Sequence, residues 1–571
     1  MDKKTLPIVV ALILVIIFWW DILGFLGLVK PTVAPATPPA ADSTQVAITD
    51  TAKPSAIPLA AVTSEKDSLA AEPAVAMPSA DSIRPDTVVV RTKAYVVTLS
   101  SLGGGPVSIK LNDYHYRDGA PIEMLPDCKS AVPEATFASG TFSSSRIVYS
   151  CSAAPGIHDA TSRPLDLVYT YNAPSGGTLV KRYRFSPEKY DYQLVVEITG
   201  RDKLGFERQY ELVWNNPLGV TEPEPQTDYE AMEAVAMMSG SREKLADFED
   251  GKLNQSLTGS TSWAGVRAKY FSAVLIPRNR VADGVFAKGE SHKIQIQNSS
   301  VEKRLITAGL ELPFELTASF ADTFTVFVGP LDYTLMADYK VGLQDMLDIG
   351  TTPYVGWIIK PFALAIIWLL PNMYAVVPNY GWVIILFALL IKIITLPLSM
   401  KQYKSMNAMK ELAPRIEELR KRLKSNPQQL NSETMKLYKE HGVNPFSGCL
   451  PLLAQMPLFI AMFSVFRSTI LLRGAPFVWP FMDLSRGASG FSDPYIIMVI
   501  LMVIFQFISQ KLTMASNQQN KMLMYMMPLI FGFLFYKLAA GLVLYWTVFS
   551  LFSIGDYFIF RRQKNLEVKT A

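Results

Sequence analysis

The stretch Tyr380-GWVIILFALLIKIITLPLS-Met400 is apolar over the length of a bilayer crossing, yet it carries a lysine, Lys392, deep inside it. At about 1.5 Å per helical residue, Lys392 lies roughly 13 Å from Lys401 at the charged end of the run. A lysine stem cannot snorkel that far. A charge near the middle of a bilayer costs about 2.5–3.5 kcal/mol on insertion scales, so Lys392 is expected to face water or a partner rather than lipid. Asp556 stands only five residues before Arg561, which puts it nearer the membrane edge, where the tail arginines are its expected partners. With no acid at matching depth, the expectation is an unpaired Lys392 in a hydrated, positive cavity that attracts acidic or polar peptide segments.

Four more apolar runs follow, Phe446–Leu472, Pro494–Leu512, Met522–Leu538 and Leu542–Phe560, giving a five-helix core over 380–562 and a short basic tail at 563–571. The Met522–Leu538 run is short, about 26 Å as a helix, which points to local bilayer thinning. Upstream, the apolar run within residues 1–30 follows a basic start and is longer than a usual signal-peptide core, so an uncleaved anchor is expected. Residues 31–85 hold prolines among Ala, Ser and Thr without apolar periodicity, the composition of an extended linker. Over 86–334 the pattern changes to short alternating runs such as Val88-VVRTKAYVVTL, Tyr192-QLVVEI and Phe324-TVFV. Strands at that spacing predict an all-β sandwich. Residues 335–379 read as helices lying in the membrane interface, because Lys360, Pro361 and Pro371 interrupt the apolar stretch that begins at Tyr354.

Half of the 571 residues are apolar, and the mean hydropathy of +0.20 fits a mixed membrane and water-soluble chain. The net charge of +4 says little; its distribution says more. Between Lys401 and His441 stand ten Lys/Arg against five Glu, while Arg473 to Asp493 holds two of each sign. The positive-inside rule puts the 401–442 loop, both termini, Lys511 and Lys521 in the cytoplasm and the β domain outside. Neither a CxxC, an HExxH nor a P-loop is present, and none of the four histidines lies in an apolar run, so neither a metal nor a cofactor is expected. Cys128 and Cys151 either pair or stay as two free thiols.

Polar residues recur at helical spacing along the runs: Lys392, Thr395 and Ser399; Gln506, Gln510 and Thr513; Trp546, Ser550, Ser553 and Asp556; and Gln455 alone. Interhelical hydrogen bonding explains any one stripe, and four together favour a shared wet cavity opening inward. The 401–442 loop reads as a helical hairpin turned at Ser425-Asn-Pro427. Its Lys401, Lys404, Lys410, Arg415, Arg420, Lys421, Arg422 and Lys424 form a basic face suited to anionic lipid or ribosomal RNA, or simply to solvent.

At Pro397-LSMKQYKSMNAMKEL, Asn444-PFSGCLPLLAQMPLFIAMF and Gly541-LVLYW the chain resembles the YidC family of membrane protein insertases. Ala268-KYFSAVLIP and Val328-GPLDY resemble its Gram-negative branch. The resemblance implies a non-enzymatic insertase and chaperone of the bacterial inner membrane, working alone or beside the Sec translocon. It implies a periplasmic β-supersandwich where a Sec accessory subunit binds, and nascent membrane proteins as substrates. It also implies a hydrophilic groove open to cytoplasm and lipid. The groove's positive residue corresponds to Lys392, where arginine is usual, so the charge is kept and the bidentate fork is lost. Gln455, Met456 and Pro457 match the second span's motif, and Tyr545 and Trp546 an aromatic pair near the groove. With Thr395, Gln506 and Ser550 these make up the expected substrate site. The rival reading from composition alone is a small-solute transporter or channel with a carbohydrate-binding domain outside the membrane. The missing inverted repeat and the absence of paired ionisable groups at mid-depth stand against it.

Overall fold

The computed structural model describes residues 85–137, 142–204, 209–296, 299–314, 319–349, 355–424, 426–442, 450–513 and 518–570, with side chains from 443 to 454, 513 to 523 and 561 to 571 not described. The anchor over 1–30, residues 31–84 of the linker, Cys449, and the side chains of Thr513, Lys521, Arg561 and the tail lie outside what is described.

Alternation builds the β domain. In Thr178–Phe185 the residues Leu179, Lys181, Tyr183 and Phe185 point inward, and Arg182 faces solvent, paired diagonally at 2.7 Å with Glu197 of the neighbouring strand, two residues past its register partner Val195. Such strands make a fourteen-stranded and a five-stranded sheet among the described residues, whose inner faces meet. Tyr95 of the smaller sheet donates its hydroxyl to the Asp191 carbonyl at 3.0 Å, and Tyr183 of the larger donates to Gly104 O at 2.8 Å. Gly103 and Gly104 have φ of +82° and +56°, and a Cβ at Gly104 would stand 2.7 Å from the Tyr149 ring, so only glycine fits this turn between the sheets. Cys128 and Cys151 are free thiols, both half-buried.

Lys181 is fully buried in this core, its Nζ donating to Gly103 O at 2.9 Å. Burial pushes its ammonium down to about 7, with the Glu134 carboxylate working the other way. The unfolded chain titrates near 10.4, so between about pH 7 and pH 10 it binds a proton that the folded sandwich does not. Stability from this group therefore rises with pH through that window and is flat below it. The urea midpoint of the strand signal in circular dichroism should correspond to about 2 kcal/mol more stability at pH 9 than at pH 7. In Lys181→Met this gain should vanish; an unchanged slope in that variant would assign the effect elsewhere.

Beyond the short helix Tyr333–Ala337, seven longer helices follow among the described residues: α1 Gly356–Val376, α2 Tyr380–Arg422, α3 Pro427–Glu440, α4 Leu450–Ser468, α5 Ile496–Thr513, α6 Gln518–Phe535 and α7 Ala540–Thr570. By length and composition Gly356–Val376, Tyr380–Arg422 and Ala540–Phe560 can each cross a membrane, and Ile496–Leu512 and Met524–Phe535 are shorter apolar helices. α1 is one unbroken helix of 21 residues that runs through Pro361 and Pro371. One expectation needs correction. α2 does not stop at Met400: its 43 residues join the span and the first hairpin arm in one rod of about 65 Å, through Pro397 and Pro414. Packing carries it past the missing backbone bonds, since Tyr403 meets the rings of Tyr557 and Phe560 of α7 at 5.9 and 5.4 Å. Asn379 starts α2 by accepting from the backbone of Gly381 and Trp382, and Asn426 starts α3 the same way from Gln429.

The ends of the bundle differ. α2 and α7 both begin at the 473–495 loop, through Asn379 Nδ2 to Pro476 O and the Ala540 amide to Arg486 O. The sandwich sits at this end, and the α2–α3 hairpin at the other. α1 runs along the base of the sandwich: Lys360 near its start lies 3.4 Å from Asp345, and Ile367 and Pro371 line a cleft with Asp332, Thr334 and Leu347. Trp357 and Trp368, three turns apart on one face, are 76% and 68% exposed.

Candidate functional site

Lys392 is enclosed by α7. It is 6% exposed, its Nζ lies 2.8 Å from Asp556 Oδ2, it donates a hydrogen bond to Ser553 Oγ at 2.8 Å, and it sits 4.6 Å from the centre of the Phe549 ring. The contact with Asp556 is an ion pair without hydrogen-bond geometry, since that carboxylate oxygen lacks a bonded donor. Ser553 passes its own proton to the Phe549 carbonyl at 2.9 Å. Phe549, Ser553 and Asp556 recur at steps of four and three, so one face of α7 presents a ring, a hydroxyl and a carboxylate in succession.

The unpaired cation in a hydrated cavity is thereby overturned: Lys392 is sealed by a carboxylate, and the pair is close to neutral. Asp556 turns an oxygen to Lys392. Measured from Lys401 and Arg561, the two backbone depths differ by about 6 Å, about the reach of one lysine stem. Comparing backbone depths alone therefore misses the partner. The signal was present, because Asp556 already shared a stripe with Ser553.

The structure divides the other expected site residues. Thr395 turns its hydroxyl back to the Ile391 and Lys392 carbonyls, so it serves its own helix. Gln506 of α5 is buried and accepts from Trp546 Nε1 at 3.3 Å, joining two of the predicted stripes. Ser550 is buried on α7 and Tyr545 is 1% exposed, packed on Phe387 of α2 and on Phe549. Gln455, Met456 and Pro457 are half-buried on α4. Trp546 is half-buried and packs in an aromatic cluster: Phe459 of α4 and Phe531 and Phe535 of α6 stand 5.1, 5.4 and 5.6 Å from it. This aromatic knot escaped the sequence because apolar rings inside apolar runs carry no local signal.

In the hairpin, Lys410 donates to the Leu512 carbonyl at 2.7 Å, capping the C-terminal end of α5, and lies over Tyr557. Arg415 meets His441 Nε2 at 2.9 Å. Lys401, Lys404, Lys421, Arg422 and Lys424 are exposed and Arg420 is half-buried, so the basic face is narrower than its sequence count.

A second charged cluster ties the sandwich to the bundle. Arg473, just past α4, lies 2.6 Å from Glu222, both largely buried; it also donates to His115 O and Thr221 O at 3.2 Å and rests 5.5 Å from the Phe271 ring. Asp228 shapes the receiving loop by accepting from the Thr221 and Glu222 amides at 2.6 and 2.9 Å. Burial raises the Asp228 carboxyl above its usual range, against these amides. The charge balance of the 473–493 loop gave no hint of this clamp. Among the described residues no group of three or more His, Cys, Asp or Glu is placed to hold a metal.

Comparison with known proteins bears on both halves. The family model described as YidC periplasmic domain matches residues 87–365, and the one described as 60Kd inner membrane protein matches 372–567. The chain is 38% identical over 392 residues to the membrane protein insertase YidC of Chlorobium limicola, across 66% of this chain and 65% of the relative, just under two thirds of its length. To that of Chlorobium phaeovibrioides it is 33% identical over 504 residues, across 85% and 84%. A crystal structure of an active YidC insertase with the first transmembrane domain resolved matches at 19% identity, over 82% of this chain and 94% of that one, with a TM-score of 0.35.

Proposed function

This chain belongs to the YidC family of membrane protein insertases, and on that premise we propose that it takes polar segments of nascent membrane proteins into the lipid without catalysing a covalent reaction. The observation that carries this is the buried Lys392–Asp556 pair, with Ser553, Ser550 and the Gln506–Trp546 bond along the same bundle. A polar peptide entering hydrocarbon alone leaves its groups unbonded, at several kcal/mol each by order of magnitude. A seam of donors, acceptors and paired charge between α2, α5 and α7 lowers that barrier. Burial of about 20 apolar residues of the incoming span then drives insertion.

We place the α2–α3 hairpin in the cytoplasm and the sandwich in the periplasm, because the basic hairpin and the sandwich stand at opposite ends of the bundle. α1 then lies in the periplasmic interface, with Trp357 and Trp368 as its anchors. Anionic lipid or the ribosome fits the exposed hairpin lysines, and the Sec translocon remains a partner by family resemblance.

Depletion of the protein, followed by protease accessibility of inner-membrane proteins with short periplasmic tails, tests the reading. The tails should stay out of reach of external protease. Normal insertion with loss of a solute's uptake would instead favour the transporter. At residue level, Lys392→Arg should complement and Lys392→Glu should fail most severely, since it sets a second carboxylate against Asp556. Equal complementation by both would remove Lys392 from the mechanism.

A further inference from the structure

We propose that Asp556 is a resident occupant of the Lys392 site, standing where a carboxylate of an incoming acidic peptide segment would bind, and so determines how strongly acidic segments are preferred. This deepens the insertase reading and rests on it. Among the described residues the contacts of the Lys392 ammonium come from α7, from Asp556, Ser553 and Phe549, and the lysine is 6% exposed. An incoming acid therefore cannot simply add to the site; it must take the place of Asp556. That exchange is balanced in charge, one carboxylate for another beside the same cation, so it avoids leaving Lys392 unpaired in hydrocarbon.

The geometry makes Asp556 the displaceable member. Its Oδ2 is near Nζ without hydrogen-bond alignment, whereas the aligned bond from Nζ goes to Ser553. A mobile peptide carboxylate can adopt the aligned geometry that a side chain fixed on α7 does not. Once released, Asp556 stands about 7.5 Å along its helix from Arg561, close to the charged end of α7. An acidic segment thus gains only the difference between its own pairing and that of Asp556, which holds selectivity low and keeps the seam neutral when empty.

The test uses the full chain reconstituted in phosphatidylethanolamine–phosphatidylglycerol vesicles and a single-span substrate with a photocrosslinker in its polar tail, flanked either by two Asp or by two Asn. The readout is the ratio of acidic to neutral crosslinks. Asp556→Asn should raise that ratio about tenfold over wild type, about 1.4 kcal/mol, Asp556→Glu should leave it near wild type, and Asp556→Asn with Lys392→Met should bring it back down. If Asp556→Asn fails to fold, Lys392→Gln gives the opposite arm: Asp556 left alone should repel acidic tails and push the ratio about tenfold below wild type. An unchanged ratio in whichever of these variants folds overturns the proposal. Failure of the wild-type vesicles to insert the neutral-tailed substrate would overturn the insertase reading itself.

Discussion

Replacing Asp556 with alanine should destabilise the helical bundle by about 3–5 kcal/mol, the usual effect of stranding one member of a buried ion pair. Lys392 would be left with a serine hydroxyl and the face of Phe549 as its neighbours. Its stem cannot carry the ammonium to either membrane edge, so water must enter to solvate it. The double variant Lys392→Met with Asp556→Leu removes both charges and keeps most of the volume, so it should lie within about 1–2 kcal/mol of wild type. Denaturation in detergent micelles, compared across wild type, Lys392→Met, Asp556→Leu and the double, measures the coupling between them. Additive losses would mean that the pair contributes nothing beyond its separate side chains. The same experiment separates stability from function, because the double variant should fold well and yet lose the polar seam.

Arg473→Ala should weaken the junction between sandwich and bundle by a similar 3–5 kcal/mol, by order of magnitude. Glu222 would keep a buried carboxylate with its ion partner gone, and the His115 and Thr221 carbonyls would lose the guanidinium donors. Arg473→Lys should recover only part of the loss, since one ammonium cannot reach Glu222 and two carbonyls in the fork geometry that arginine supplies. In calorimetry the sandwich and the bundle of the wild type should unfold as one coupled event. In Arg473→Ala the transition should split, with the sandwich keeping its own midpoint. A single unshifted transition would show that the other junction contacts suffice, among them Arg117 with Asp483 at 3.5 Å and Lys360 with Asp345.

The family resemblance in the motifs around Pro397, Pro457 and Gly541 holds, and so does the division into a β domain and an apolar helical core. Both are legible because their signals are local: period-two alternation as in Thr178–Phe185, and unbroken apolar runs as in Tyr380–Met400. The hairpin was legible in outline from Ser425-Asn-Pro427 and its flanking periodicity. Its join to the span was not, because the charges from Lys401 onward end the apolar run, and only the structure shows one helix continuing through Pro397 and Pro414 with Tyr403 packed on α7.

The site was half legible. A lysine in hydrocarbon marks its place whatever the fold, because no local structure relieves a buried charge. What that lysine touches belongs to the relation between two helices that are 161 residues apart in sequence at the Lys392–Ser553 contact. Spacing along one chain segment ranks depth, whereas a side chain of about 6 Å searches a volume. From sequence alone came the two architectures, the buried cation and the polar stripes. Tertiary packing alone decided that the cation is neutralised, that aromatic rings fill the space beside Trp546, and that Arg473 joins the two halves, since each depends on which helix or sheet faces which.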